Sequence, residues 1–391
     1  MDLKVIQDNI LKLGADGWLF CDIGNRDKIA YEILGIENKM TTRRWFYLIP
    51  SIGTPIKLVH RIEQYKLDNL PGEKRLYTSW VELHNELRSL LSNTKNLFMQ
   101  YSPLNNLPLV SFVDAGTIEL INSFGAKVLS SADIVQICKS KLDEVRIKMH
   151  ALAGEKIQRI KDDAFALVKD SILKNAEITE YDVQQFILQE FKKEGITCED
   201  EFPIVAVNEH AANPHFCPEK ENSYIIRKSD RLLIDIWGKI DSPMGVYYDI
   251  TWCGHVGTNP SEEYLKIFNI VKEAREVAKN FINENVKKNK QIYGWEVDKA
   301  CRDYIAKMGY GDYFIHRTGH SIDSDVHGSG VNLDNLETKD DRMIISGSCF
   351  SIEPGIYKDD IGVRSEIDVL VNEDSILVFG EEQQELITMD L

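Results

Sequence analysis

The second part of the chain repeats one pattern of elements, and this duplication constrains the fold more than any other feature. Equivalent positions recur at a spacing of about 115 residues, as expected for an internal repeat. Each copy has a long helix, a shorter helix and then apolar strands. The predicted elements are helices at 141–174 and 179–195 with strands at 204–251, then helices at 260–286 and 294–308 with strands at 348–352 and 363–371. We therefore expect two similar halves that fold against each other and form a site at their interface.

Each copy also places two carboxylates on neighbouring apolar strands. Asp235 stands among leucine and isoleucine, and Asp249 shares a strand face with Thr251 because strand side chains alternate with period two. In the second copy Glu353 follows an apolar strand, and Glu366 lies on the last predicted strand. Converging buried carboxylates repel one another unless they share protons or surround a cation. The pattern therefore predicts one or two bound divalent metal ions.

A histidine-rich segment adds a nitrogen donor to these oxygens. His320 follows Arg317-Thr318-Gly319, and it can supply a neutral imidazole ligand. His316 and His327 flank it, where they could contact a substrate oxygen. The sequence has no His-Glu-x-x-His motif, so a zincin-type metalloprotease is disfavoured.

The length of 391 residues indicates two domains, because a single core rarely grows that large. The first part alternates short strand and helix patterns, which favours an α/β domain. It shows no cluster of residues typical of catalysis. We place the boundary between residues 1–140 and 141–391, where the long helical pattern of the second part begins.

Composition excludes several classes of partner. The net charge is −16 without a basic run, so binding to nucleic acid or to an anionic membrane is not expected. We find no apolar stretch near the ~18 residues of a membrane span, and no apolar signal core at the start. The seven cysteines are scattered, and no pair has CxxC spacing. A disulfide framework is therefore not expected, and we predict a cytoplasmic protein.

Several segments of the chain resemble motifs of a known family. The segments LIDIWG, YYDITW, HRTGHS, SIEPGIY and GVRSEID are similar to motifs of the pita-bread metallopeptidases, the family of creatinase, aminopeptidase P and prolidase. The resemblance is clear over residues 140–391 and weaker over 1–140. It implies an α/β, creatinase-like N-terminal domain at 1–140, and an α+β pita-bread catalytic domain at 141–391 that is duplicated about a pseudo-two-fold axis.

The resemblance also implies roles for individual residues. The implied metal ligands are Asp235, Asp249, His320, Glu353 and Glu366, with Asp249 and Glu366 bridging two divalent ions per chain. The implied substrate-binding residues are His215, His316, His327 and Arg364. Oxygen and imidazole donors without thiolate favour manganese, with cobalt, iron or zinc as alternatives.

The implied activity is hydrolysis of the Xaa-Pro bond at a free peptide N-terminus, as an Xaa-Pro aminopeptidase or an Xaa-Pro dipeptidase. Hydroxide held by the metals would attack the carbonyl, Glu353 would act as general base, and His316 and His327 would donate hydrogen bonds. The alternatives are a metal-free, creatinase-like hydrolase and a non-catalytic pita-bread binding module. Short peptides are the expected partners, and the family resemblance suggests a homodimer.

The sequence departs from the family pattern near the predicted site. Trp252 stands where the family commonly has arginine, and Ser321 and Asp323 replace small glycines. None of these changes removes a predicted ligand. Because the three positions lie near the expected pocket mouth, we expect them to affect substrate preference.

Overall fold

The computed structural model describes residues 2–37, 39–199 and 201–391. The chain separates into two compact units, Met1–Lys139 and Ser140–Leu391. In these described ranges no helix is both long and apolar enough to cross a membrane. Assigning the units as a creatinase-like domain and a catalytic domain remains a proposal.

The N-terminal unit is built on a mixed sheet with the strand order β4-β3-β2-β1-β5-β6. Apolar side chains on both faces of this sheet pack under helices, and they form two clusters around Trp18 and Leu19. Its elements are α1 (Leu3–Lys12), β1 (Gly17–Asp22), α2 (Lys28–Leu34), β2 (Trp45–Pro50), β3 (Ile56–His60), β4 (Glu73–Tyr77), α3 (Trp80–Leu90), β5 (Asn96–Met99), α4 (Ala115–Ser123), β6 (Lys127–Ser130) and α5 (Ala132–Val135). This is the α/β domain that the alternating pattern predicts.

The first copy of the repeat begins the C-terminal unit. A capping box of Thr179 and Asp182 starts its second helix, and Gly195 ends that helix in the left-handed conformation. The elements are α6 (Glu144–Leu173), α7 (Glu180–Glu194), β7 (Ile196–Thr197), β8 (Ile204–Val207), β9 (Arg231–Ile240) and β10 (Tyr248–His255). Strand β9 pairs antiparallel with β7, β8 and β10, so it forms the centre of this half.

The second copy follows the same order but divides its strands differently. Its elements are α8 (Glu262–Lys287), α9 (Gly294–Lys307), β11 (Cys349–Ile352), β12 (Gly355–Lys358), β13 (Ile361–Arg364), β14 (Ile367–Val371), β15 (Ile376–Phe379) and β16 (Ile387–Thr388). The prediction of one final strand at 363–371 is wrong, because the chain breaks at Ser365 and Glu366. Strand β13 pairs with β12, whereas β14 pairs with β11 and β15.

A detail of the backbone supports the duplication. Thr179, the residue before α7, forms an isolated bridge with Ile225, and Tyr293, the residue before α9, forms one with Met343. Each copy therefore ties the start of its second helix to a later segment in the same way. The two copies also meet directly, because the backbone N–H of Glu366 donates to the carbonyl oxygen of Thr251 at 3.3 Å.

Candidate metal centre and active site

Strand register brings the first-copy acids together. Asp235 on β9 lies opposite Thr251 on β10, and Asp249 lies two residues before Thr251, so all three side chains share one face. The second-copy acids reach the same place from strand ends. Glu353 directly follows β11 and Glu366 directly precedes β14, and the adjacent ends of these strands are paired.

The predicted ligands converge in one pocket of about 570 Å³. One ligand atom from each of Asp249, His320 and Glu366 lies within 4.8 Å of the others, and all three residues are buried. Asp235 and Glu353 line the same pocket. The Nε2 atom of His320 is 3.3 Å from Oε1 of Glu353 and 3.6 Å from Oδ2 of Asp249. The structure therefore brings together all five residues, while their roles as ligands remain a proposal.

The tautomer of His320 suits a metal ligand. Its Nδ1 atom is 3.3 Å from the carbonyl oxygen of Ser321, which can only accept, so Nδ1 carries the proton. The lone pair of Nε2 then points toward the carboxylates, as in metal sites where a backbone carbonyl orients the histidine. Burial, and then the nearby His327 ring, lowers the pKa of His320 well below its usual value. The imidazole is therefore neutral.

The buried acids are electrostatically unsatisfied without a cation. Burial, reinforced by neighbouring carboxylates, raises the pKa values of Asp249 and Glu366 well above the usual range. Burial also raises the pKa of Glu353 to about 7, although the charge of Arg364 opposes the shift. Oδ1 of Asp249 and Oε1 of Glu366 are buried and have no hydrogen-bond partner among the described residues. Bare oxygen acceptors around a neutral imidazole nitrogen are a suitable donor set for a divalent metal.

Arg364 and Thr251 connect Asp235, an acid of the first copy, to residues of the second copy. The buried guanidinium of Arg364 pairs with Asp235 and donates from Nε to the hydroxyl of Thr251 at 2.9 Å. That hydroxyl can donate its proton to Glu366 at 2.7 Å or to Asp235 at 3.0 Å. Arg364 was predicted to bind substrate, and it does line the pocket. Its contacts show that it also holds Asp235 in place.

Tyr357 links Arg364 to His316, a connection that the sequence did not indicate. The Tyr357 hydroxyl accepts from Nη1 of Arg364 at 2.9 Å and lies 2.9 Å from Nε2 of His316. Nδ1 of His316 is 2.7 Å from the carbonyl oxygen of Arg317, so Nδ1 carries the proton and Nε2 accepts from Tyr357. Burial lowers the pKa of His316 to about 3. A substrate contact by His316 would therefore require one of these hydrogen bonds to open.

One sequence signal for Tyr357 is the glycine two residues earlier. A Cβ atom on Gly355 would lie 2.5 Å from the Tyr357 hydroxyl, so a side chain there would displace the tyrosine. In the motif Glu353-Pro354-Gly355, the glycine therefore makes room for this hydroxyl. The glycine at position 355 indicates that another group approaches its backbone closely, but the sequence does not indicate which group.

The other predicted histidines differ in their surroundings. His327 lines the pocket and packs edge-on against His320, with ring centroids 4.5 Å apart. His215 is exposed at the pocket on the loop after β8. His210, five residues before His215, stacks between Phe216 and Tyr224. Its Nδ1 atom lies 2.9 Å from buried Glu180, so a structural role suits it better.

The departures from the family pattern also have structural explanations. Trp252 is buried, and its ring packs under the ammonium group of Lys161 at 3.5 Å. Asp323 is buried in the loop that carries His327, where it accepts hydrogen bonds from Ser140 at 2.7 Å and from the backbone of Ser329 at 3.1 Å. Ser321 is buried as well, and its hydroxyl accepts from the backbone N–H of Gly330 at 3.0 Å. None of the three residues is among those that line the pocket.

The sequence model of Metallopeptidase family M24 matches residues 153–373, which is more than half of the chain. The chain therefore belongs to metallopeptidase family M24.

Individual relatives agree with this assignment. The Xaa-Pro dipeptidase of Lactobacillus helveticus is 31% identical over 227 residues, which cover 58% of this chain and 56% of that protein. The chain spans about half the length of the curated relatives that it matches at this level of identity. For a relative from Mycoplasma pneumoniae the share is 51%.

Solved structures match over nearly the whole chain. The dipeptidase PepE of Mycobacterium ulcerans has a TM-score of 0.72 at 22% identity, covering 100% of this chain and 97% of its own. A recombinant prolidase from Thermococcus sibiricus has a TM-score of 0.64 at 27% identity, covering 99% of this chain and 98% of its own. The predicted fold class, an α/β N-terminal domain with a duplicated pita-bread C-terminal domain, is confirmed.

Proposed function

We propose that this chain is a metallopeptidase that hydrolyses the Xaa-Pro bond at the free N-terminus of short peptides. The observation that carries the proposal is the convergence of Asp249, His320 and Glu366 within 4.8 Å, with buried carboxylate oxygens that lack partners among the described residues. The substrate class rests on similarity to an Xaa-Pro dipeptidase and to a prolidase. We propose a cytoplasmic location and a homodimer on the family resemblance alone.

In this proposal two divalent ions, manganese being favoured, are held by the set Asp235, Asp249, His320, Glu353 and Glu366. Bound there, such ions would supply positive charge that polarises a carbonyl and makes water more acidic. The three ligand atoms within 4.8 Å of one another support at least one cation position, and Asp235 and Glu353 line the same pocket.

Glu353 is suited to move the proton. It lines the pocket beside His320, 3.3 Å from Nε2 of that ring, where it can accept a proton from the attacking water and release it to the leaving proline nitrogen. Its carboxylate accepts a hydrogen bond from Ser351 at 3.2 Å and lies 4.0 Å from Nε of Arg364. His327 lies beside His320 and can donate to the substrate oxygen as negative charge develops. Arg364 pairs with Asp235 and orients it.

The test is metal analysis followed by peptide turnover. Purified protein is dialysed against manganese, its metal content is measured, and it is assayed on Xaa-Pro dipeptides, longer Xaa-Pro peptides and matched peptides without proline. We expect bound metal, cleavage after the first residue of the Xaa-Pro peptides, and loss of both on chelation. Turnover that does not depend on metal would favour the creatinase-like alternative. Absence of both metal and turnover would favour a binding module.

A further inference from the structure

Asp298 on α9 is a fully buried carboxylate that the proposed mechanism does not use. Its Oδ1 atom accepts hydrogen bonds from the backbone N–H of Thr318 at 2.9 Å and from the Thr318 hydroxyl at 2.7 Å. Thr318 lies midway between His316 and His320, and we call residues 316–320 the histidine segment. Because a buried carboxylate is costly unless it is paired and hydrogen-bonded, these contacts hold the segment against the helix.

Arg302, one turn later on α9, pairs with Asp298 and extends this attachment. Its Nε and Nη2 atoms donate to the two carboxylate oxygens of Asp298 at 3.0 and 2.9 Å, which makes a bidentate pair. Nη1 also donates to the carbonyl oxygen of Phe314, and Nη2 to that of His316, each at 2.8 Å. The pair therefore holds the histidine segment at its first residue and at its middle.

The histidine segment in turn lies against the end of β11, next to Glu353. The carbonyl oxygen of Thr318 accepts from the backbone N–H of Glu353 at 2.8 Å, and that of His320 accepts from the backbone N–H of Ser351 at 2.9 Å. A Cβ atom on Gly319 would lie 1.9 Å from the carbonyl oxygen of Ser351, so the two backbones are in close contact. A shift of Thr318 would therefore move His320 and Glu353 together.

We propose that Asp298 and its partner Arg302 are positioning residues, which set the place of the histidine segment and of Glu353 in the pocket. The segment supplies one proposed metal ligand, His320, and one proposed substrate contact, His316, so this inference rests on the proposed function. Neither Asp298 nor Arg302 is among the residues that line the pocket, so their effect on the site passes through the residues that they hold.

The first copy contains a similar buried carboxylate, which provides the matched control. Glu180 on α7 is fully buried and accepts from the backbone N–H groups of Val207 and Tyr224 at 2.7 and 2.8 Å. These two residues flank the loop of His215, which carries no proposed metal ligand. Glu180→Gln therefore disturbs a comparable attachment without acting on the histidine segment.

The experiment measures manganese affinity by calorimetric titration of the wild type and four variants. Asp298→Asn should weaken manganese binding by about 10- to 100-fold, the usual effect of losing a residue that orients a ligand. Thr318→Val removes only the hydroxyl contact and should weaken binding by about 3- to 10-fold, whereas Thr318→Ser should restore the wild-type affinity. Glu180→Gln should leave manganese affinity unchanged.

Hydrogen exchange of the metal-free protein, followed by mass spectrometry, shows whether Asp298 acts locally. Asp298→Asn should speed exchange in peptides that cover 316–320 and 350–354, because the Glu353 amide loses its fixed acceptor. This result would support the inference even if the wild type bound no manganese, an outcome that would contradict the proposed function alone.

Three outcomes would overturn the inference: unchanged manganese affinity in Asp298→Asn, an equal loss in Glu180→Gln, or exchange that rises evenly over the whole chain. Thermal unfolding shows whether Asp298→Asn remains folded. If it does not, the comparison of Thr318→Val with Thr318→Ser decides, and equal manganese affinity and equal exchange in these two variants would contradict the inference.

Discussion

The two copies of the repeat deliver their acids to the pocket in different ways. Asp235 and Asp249 lie inside a continuous antiparallel ladder between β9 and β10. Glu353 and Glu366 lie just outside strands, one after β11 and the other before β14. The first copy therefore fixes its acids by register, whereas the second copy fixes its acids by where strands end.

This difference has a chemical consequence. Asp235 is held by Arg364 and Thr251, so its charge is neutralised and its orientation is fixed. Glu353, at a strand end, accepts from the Ser351 hydroxyl at 3.2 Å, lies 3.3 Å from His320 and is 4.0 Å from Nε of Arg364, a longer contact than the one Arg364 makes with Asp235. A rigid acid suits a ligand with one role, while a less restrained acid can bind and also transfer a proton. Duplication thus provided two sets of acids, and in the proposed mechanism the broken strands of the second copy allow Glu353 a second role in proton transfer.

The largest predicted effect tests whether Asp249 of the first copy and Glu366 of the second copy are equivalent. Asp249→Asn and Glu366→Gln each remove one charge from the three-residue cluster. We expect both variants to lose metal binding and to show no detectable turnover, because each change removes one of the two carboxylates in this cluster. In the metal-free state both should unfold at a higher temperature than wild type, since they relieve repulsion between buried acids. Metal analysis and thermal unfolding with and without manganese measure these effects.

A matched control for this pair is Glu273→Gln, a change of an exposed acid on α8. It should leave metal content, turnover and the stabilisation by manganese unchanged. Retained metal in either Asp249→Asn or Glu366→Gln would show that the copies are not equivalent and that a different ligand set is used.

The second prediction contrasts the other two acids, Asp235 of the first copy and Glu353 of the second copy. Glu353→Gln should reduce kcat by about 10²- to 10⁴-fold, the usual contribution of a general base, with little loss of stability. Asp235→Asn should instead destabilise the fold by about 3–5 kcal/mol, because it leaves the buried guanidinium of Arg364 without its charged partner. Chemical denaturation and steady-state kinetics separate the two effects. Unchanged kcat in Glu353→Gln would rule out its role as base.

The third prediction concerns the hydroxyl that joins the copies. Thr251→Val keeps the shape of the side chain but removes the group that contacts Arg364, Asp235 and Glu366. Loss of such a supporting hydrogen bond typically costs about 10- to 100-fold in metal affinity or activity. Thr251→Ser retains the hydroxyl and should recover most of the metal affinity, measured by titration with manganese. Equal manganese affinity in the wild type, Thr251→Val and Thr251→Ser would mean that the register between β9 and β10 alone orients the acids.

The sequence predicted the first copy more completely than the second. Period-two alternation around Asp235 and Asp249 determines which side chains share a face, so their convergence with Thr251 could be inferred. The break at Ser365 could not, because the segment from Val363 to Val371 alternates like one strand. What ends it is pairing with two different partners, and such pairing depends on residues distant in sequence. The contact between Tyr357 and His316 was hidden for the same reason.

The smallest predicted effect is a pH dependence that only the metal-free protein should show. Burial raises the pKa of Glu353 from 4.5 to about 7, so between these values the folded chain retains a proton that the unfolded chain has released. This contribution stabilises the fold below about pH 4.5 and is lost as the pH rises toward 7. Asp249 and Glu366 shift in the same direction.

We therefore expect the melting temperature of the metal-free wild type, relative to that of Glu353→Gln, to fall by several degrees between pH 5 and 7.5. Manganese should remove this fall, because a bound cation replaces the proton as the partner of the carboxylate. Parallel curves for wild type and Glu353→Gln would show that Glu353 is ionised throughout, and that the strand-end acid is no better suited to proton transfer than the acid inside the ladder.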